Sequence, residues 1–211
     1  MGEGKARIAV LISGGGTNLQ ALIDAEKSGI LHSGKIVCVI SSSPSAYGLT
    51  RAENAGIPAF VAEKKALGSQ EAFEKAIVSR LTECGAELIV LAGFMSILSA
   101  DFTARYRDRI INVHPSLIPS FCGKGYYGLK VHEAALAYGV KVTGATVHFV
   151  TADCDAGPII LQKAVEVKNG DTPETLQKRI MEEAEWKILP QAVSLFCEDR
   201  IIVKNGVTEI R

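Results

Sequence analysis

The chain has no surplus of charge of either sign. Lys plus Arg number 23 and Asp plus Glu number 23 in 211 residues, so the formal net charge is zero. Such a balance lacks the general positive field that grips a phosphate backbone, so nucleic acid is not an expected partner. No apolar run approaches the length needed to span a bilayer, so no membrane partner is expected either. The first residues, MGEGKARIAVLIS, run straight into glycines and lack the apolar stretch and small-residue cleavage site of a secretory signal. The expectation is a soluble, cytoplasmic protein. The five cysteines are widely spaced and form no C-x-x-C, which argues against a zinc ribbon or a redox pair. No metal is expected, a reducing compartment fits, and Cys38, inside an apolar run, reads as a core residue. No repeat, low-complexity stretch or linker-like composition shift interrupts the chain, so residues 1–211 read as one domain.

What is present is alternation. Continuous apolar runs at Arg7–Ser13, Lys35–Ser42, Ile57–Val61, Glu87–Gly93 and Arg109–His114 are separated by stretches of helical spacing. Asn18–Gly29 carries Leu19, Leu22, Ile23 and Ala25 at roughly that spacing. Tyr47–Ala55 is closed by Gly56, and Ser69–Cys84 opens on an N-cap serine and stops before Gly85. Runs of Val, Ile and Leu without polar alternation are strands buried on both faces. The fold class is therefore α/β: a mostly parallel, doubly wound sheet with helices on both faces. The last third changes character. Val142–Val150 and Ile159–Val167 flank a short loop and read as antiparallel strands. Thr172 caps a helix that starts with Pro173 and runs to about Glu198, with Pro190 predicting a kink or break. Asn205-Gly206 predicts a closing hairpin.

Ligands of such sheets gather at the carboxyl ends of the strands, and three stretches there carry chemistry. Ser13-Gly14-Gly15-Gly16-Thr17-Asn18 joins a strand to a helix, where unpaired N–H groups and bare backbone suit a phosphate. It is neither G-x-G-x-x-G, since position 19 is Leu, nor a Walker A loop. In Asn112-Val113-His114-Pro115 the amide and the imidazole are two apart and so share a face. One can donate to a developing oxyanion and the other can shuttle a proton or stabilise charge. Asp153-Cys154-Asp155-Ala156-Gly157-Pro158 can bring a carboxylate to the same place, although Asp, Gly and Pro also suit an ordinary turn.

Taken in order, LISGGGTNLQALI, LAGFMSILS, INVHPSLIPSF, TGATVHFV and DAGPIILQ resemble the glycinamide ribonucleotide transformylases, in the folate-dependent formyltransferase family. The likeness runs from about Arg7 to Val167 and more weakly to Pro190. It implies the formyltransferase fold, with residues to about 110 forming a nucleotide-binding half and about 111–211 a catalytic and folate-binding half. It implies transfer of a formyl group from 10-formyltetrahydrofolate, as co-substrate, to glycinamide ribonucleotide in purine synthesis, with no metal. By resemblance Asn112, His114 and Asp155 are the catalytic trio. Gly16, Thr17, Asn18 and Glu185 hold the ribonucleotide. Met95, Ser96, Ile97 and Leu98, with Asn112 and Gln70, hold the folate. Ser96 and Gln70 stand where a bacterial member has arginines, and Ser120–Lys130 is longer than in that member. These departures bear on the folate's glutamate tail, for which Lys64 or Lys65 could compensate. A formyltetrahydrofolate hydrolase shares the trio but carries an extra N-terminal regulatory domain. A transferase acting on initiator methionyl-tRNA needs a basic C-terminal domain, and a non-catalytic nucleotide-binding module explains the glycines but not the trio. Monomer and homodimer both remain open.

Overall fold

The computed structural model describes residues 4–211. Its elements follow in the order β1 (Ala6–Ile12), α1 (Thr17–Ser28), β2 (Gly34–Ser41), α2 (Tyr47–Asn54), β3 (Ala59–Val61), α3 (Lys64–Leu67), α4 (Gln70–Glu83), β4 (Leu88–Leu91), α5 (Ala100–Arg105), β5 (Ile110–His114), α6 (Leu129–Tyr138), β6 (Val142–Phe149), β7 (Ile159–Glu166), α7 (Pro173–Ile180), a π-helical turn (Met181–Glu185), α8 (Trp186–Cys197), β8 (Ile201–Lys204) and β9 (Val207–Ile210). Seven strands form one sheet in the order β3-β2-β1-β4-β5-β6-β7. Pairing is parallel from β3 through β5 and antiparallel for β5 with β6 and β6 with β7. This is the expected mostly parallel sheet with antiparallel strands in its C-terminal third.

The strands of the apolar runs are buried on both faces because alternate side chains enter two separate cores. Ile8, Val10, Ile12, Val90 and Ile111 face α1, α7 and α8 through Leu19, Leu22, Ile180 and Leu189. Ala9, Leu11, Ile40, Ile89 and Ile110 face α4 and α5 through Phe73, Ile77, Leu81 and Phe102. Cys38 is fully buried in the second core, and all five cysteines are free. Helix starts follow local chemistry. Ser69 accepts from the Ala72 N–H, Ser99 from Phe102, and Thr172 and Thr175 cap each other across the first turn of α7.

Two boundaries differ from the expectation. The third strand begins at Ala59 rather than Ile57, because the Ile57 N–H closes onto the Ala52 carbonyl at the end of α2 and Pro58 has no N–H to offer. The C-terminal helix is interrupted one turn before Pro190, not at it. Pro190 sits inside α8, and the wide turn spans Met181–Glu185. A proline removes the bond to the carbonyl four residues earlier and crowds it. That carbonyl belongs to Trp186, which lies within α8 after the wide turn, so Pro190 does not account for the π turn. The tail forms the expected hairpin, with Asn205 and Gly206 both at positive φ, as a tight two-residue turn requires.

In this sheet the chain winds away from β1 in both directions, to β2 on one side and β4 on the other. The crevice at the carboxyl ends of β1 and β4 is thus the topological switch point, where doubly wound sheets bind ligands.

Candidate active site

The loop after β1 occupies that switch point. Gly16 lies at φ 71, and a Cβ there would come within 2.7 Å of the Gly48 Cα, so only glycine lets α2 approach. Gly14 and Gly15 face open space. No side chain caps α1, and no acidic residue lies in its first turn. Among the described residues, the backbone N–H groups from Gly14 to Leu19 donate to no protein acceptor. A helix start with free donors and no capping carboxylate is an anion seat. Asn18, in the same turn, donates through Nδ2 to Glu185 Oε2 at 2.7 Å. Glu185 lies on the π-helical turn and is 5 % exposed; burial pushes its carboxyl up to about 7, against the lowering effect of the Asn18 bond.

The segment after β4 is tied to this loop. Ser13 N–H donates to the Gly93 carbonyl, and Ser13 Oγ accepts from the Met95 N–H at 2.8 Å. Met95 and Ile97 are exposed, while Leu98 is buried in the second core. Ser96 lies between them. Gln70, at the start of α4, uses its amide nitrogen to donate to the Ile97 carbonyl and to Glu74 Oε1. Glu74 in turn accepts from the N–H and hydroxyl of Ser99. Gln70 therefore braces the segment and offers only its carbonyl oxygen beyond it.

Next along the sheet come Asn112 and His114 at the end of β5, with Asn112 paired in register with Leu91 of β4. Antiparallel β6 sets His148 opposite Asn112 and Thr146 opposite His114. Side chains directly opposite one another share a face. His148 Nδ1 donates to the Phe149 carbonyl at 2.8 Å, so its Nε2 is the acceptor in the neutral ring. Burial holds this imidazole below the usual histidine value, which keeps it neutral near pH 7. Asn112 Nδ2 lies 3.2 Å from that Nε2 and donates to it. The bond fixes which way the amide points and leaves its second N–H free. With His148 neutral, its 3.7 Å approach to Asp155 Oδ1 is a contact and not an ion pair.

His114, 4 % exposed, donates through Nε2 to the Phe121 carbonyl at 2.8 Å and turns Nδ1 toward Asp155 Oδ2 at 3.5 Å. Asp155 adopts φ 54, a left-handed conformation that aspartate tolerates, and accepts from the Gly123 N–H at 2.9 Å. Phe121 is also left-handed, at φ 49, a costly state for a bulky residue that aims its carbonyl at His114. The loop between them is pinned from β6 and β7. Thr146 Oγ1 donates to the Ser116 carbonyl and accepts from the Ile118 N–H. Gln162 Nε2 donates to the Ile118 carbonyl and to Thr146 Oγ1.

The fold thus brings Asn112, His114 and Asp155 into one cluster. It sets Gly16, Thr17 and Asn18 with Glu185 two strands away, and Met95–Leu98 with Gln70 between the two groups. His148, Thr146 and Gln162 were not singled out from the sequence. For Thr146 and His148 the signal was Thr-Val-His inside an apolar strand, two polar residues at period two and hence on one face; Gln162, on β7, had no such signal. Among the described residues, no cluster of three or more His, Cys, Asp or Glu is placed to hold a metal ion.

Comparison with known proteins bears on the family and the fold. The formyl transferase family matches residues 6–193. The chain is 51 % identical over 205 residues to the trifunctional purine biosynthetic protein adenosine-3 of Bos taurus, a match covering 96 % of this chain but 19 % of that protein. It therefore spans about a fifth of the length of that relative. It is 42 % identical to the phosphoribosylglycinamide formyltransferase of Haemophilus influenzae over 95 % of this chain and 92 % of that one. Among solved structures, glycinamide ribonucleotide transformylase 1 from Symbiobacterium toebii superposes with a TM-score of 0.91 at 45 % identity, covering 98 % of this chain and 94 % of that one. A formyltetrahydrofolate deformylase from Pseudomonas syringae superposes at 0.88 with 30 % identity, covering 99 % of this chain and 66 % of its own. No helix among the described residues is long and apolar enough to cross a membrane.

Proposed function

The chain belongs to the formyl transferase family, and from that premise we propose that it transfers the formyl group of 10-formyltetrahydrofolate to the amine of 5-phosphoribosylglycinamide, giving the N-formyl product and tetrahydrofolate. The observation that carries this reading is the adjacency, along one sheet edge, of an anion seat free of side-chain caps and an amide–imidazole–carboxylate cluster.

The substrate amine attacks the formyl carbon, and negative charge builds on the formyl oxygen. As the tetrahedral intermediate collapses, the bond from that carbon to the folate N10 breaks. The proton given up by the amine is matched by one delivered to N10. Asn112 is oriented by His148 so that its free N–H donates to that oxygen. It costs no reorganisation, because the neutral His148 acceptor has already set the amide's direction. His114 is held by Phe121 at Nε2, which leaves Nδ1, facing Asp155, as the nitrogen able to exchange a proton. Asp155 sets a carboxylate 3.5 Å from that nitrogen and accepts from the Gly123 N–H of the loop that carries Phe121. The phosphate of the ribonucleotide sits on the N–H groups of Gly16, Thr17 and Asn18, with Glu185 accepting from Asn18 behind them. The exposed Met95–Ile97 segment flanks the folate. Soluble, cytoplasmic work on small molecules completes the reading.

Incubating the protein with 10-formyltetrahydrofolate, with and without the ribonucleotide, tests it. Formylated ribonucleotide and stoichiometric tetrahydrofolate are expected. Formate released at the same rate in the absence of the ribonucleotide would make the protein a hydrolase instead.

A further inference from the structure

Helix α2 brings a cation to the anion seat. Its first turn is bound to the loop through the Gly48 N–H, which donates to the Gly14 carbonyl at 3.0 Å. One turn later Arg51 reaches back. Its Nε donates to the Gly15 carbonyl at 2.9 Å and its Nη1 to Gln20 Oε1 at 3.1 Å. Its guanidinium lies over the Tyr47 ring, 5.1 Å from the centroid. No carboxylate pairs with Arg51 among the described residues, and Nη2 donates to no protein group.

Guanidinium has five donors in a rigid plane, and two of its contacts here fix that plane. Gly16 is the N-cap, so the first intrahelical bond runs from Gln20 to Gly16 and the Leu19 N–H stays free, while Arg51 takes the Gly15 carbonyl. The arginine thus has two effects on one seat. It adds a half-buried positive charge whose plane is already set, and it binds the Gly15 carbonyl of the seat's own loop. A second, independent sign of a polar ligand lies in the same turn. Asn18 is 7 % exposed, and its Oδ1 is a buried acceptor without a partner among the described residues. A ligand hydroxyl or amine beside the phosphate would satisfy it.

We propose that Arg51 is a phosphate-specificity residue: its free Nη2 and the N–H groups of Gly16–Asn18 together hold the dianion of the ribonucleotide, so that the enzyme discriminates against the dephosphorylated nucleoside. This rests on the ribonucleotide reading above. The chemistry needed is a phosphomonoester on a ribose, and a charge-assisted bond to it is the strong kind.

The test compares glycinamide ribonucleotide with glycinamide riboside as formyl acceptors, in the wild type and in Arg51→Gln. The ratio of kcat/KM for the phosphorylated over the dephosphorylated acceptor is expected to fall by about 10- to 100-fold in the variant. Arg51→Lys, which keeps the charge but not the fork, is expected to lose about 3- to 10-fold of that ratio, and it carries the test if the glutamine variant does not fold. A merely structural role would depress both acceptors together. A ratio within twofold of wild type therefore overturns the proposal. Calorimetry with ribose 5-phosphate reads the same contact without turnover. If no formyl group is transferred to either acceptor, the functional reading fails, while weaker ribose 5-phosphate binding in Arg51→Gln still supports Arg51. Unchanged binding would sink it.

Discussion

The loop after β1 and the cluster at the end of β5 solve opposite problems. The first recognises by subtraction. Its glycines remove side chains, its helix goes without a side-chain cap, and backbone N–H groups do the binding. The second recognises by accumulation. Asn112, His114, His148 and Asp155 come from three different segments, and each is held by at least one further bond. A seat made of backbone depends on what can fit at two or three positions. A cluster made of side chains depends on every strand and loop that aims them. The first should thus fail by crowding and the second by loss of a single functional group.

The largest effect is expected at the cluster. Asp155→Asn keeps the shape and an acceptor for the Gly123 N–H but removes the charge facing His114. Turnover should fall by about 10²- to 10⁴-fold with KM for both substrates within a few-fold. Steady-state kinetics beside a circular-dichroism melt read this, and a loss confined to KM would break the contrast. His148→Leu leaves Asn112 without its orienting acceptor. A drop in kcat of about tenfold is expected, smaller than at Asp155 because the oxyanion donor remains although misdirected. Equal loss of folate binding would show that His148 is only part of the core.

The glycine loop sharpens the comparison because two neighbouring glycines separate two mechanisms. A methyl at Gly15 meets no protein atom within 4 Å, so Gly15→Ala should melt like wild type yet raise KM for the ribonucleotide. At Gly16 the same methyl meets backbone at 2.7 Å in a left-handed conformation, so Gly16→Ala should also lose about 1–3 kcal/mol of stability. Thermal melts paired with KM values test this, and if Gly15→Ala left KM unchanged, the phosphate would not lie on that face.

At Glu185 the expected effect falls on stability alone. Its folded carboxyl is raised to about 7 from 4.5, so the native state binds the proton more tightly than the unfolded chain. Stability is then greatest below about 4.5 and declines as pH rises toward about 7, by on the order of 3 kcal/mol. Glu185→Gln should flatten that part of the stability–pH curve, as denaturant melts between pH 4.5 and 8 would show. An unchanged slope would mean that the carboxyl titrates normally.

Much of the architecture was legible because it rests on local rules. Unbroken apolar runs demand cover on both faces, Ser69 and Thr172 cap by their own side chains, and Asn205-Gly206 favours a tight turn. Asn112 and His114 could be paired because two residues along a strand share a face. The break expected at Pro190 is not where the helix is irregular: α8 runs through that proline, and the π turn at Met181–Glu185 had no such local signal.

By itself, then, the sequence determined the parallel core, the helix starts, the glycine seat and the Asn-x-His pair, all set by interactions within a few residues. Only the tertiary structure decided that β6 runs antiparallel in the register that sets His148 against Asn112. It alone brought Asp155 to His114, Glu185 on its π turn to Asn18, and Arg51 to Gly15. The reason is that a strand's periodicity states which residues share a face but not which strand lies beside it. That choice follows from burying the whole sheet at once, and a shift of one residue would have turned His148 to the other side.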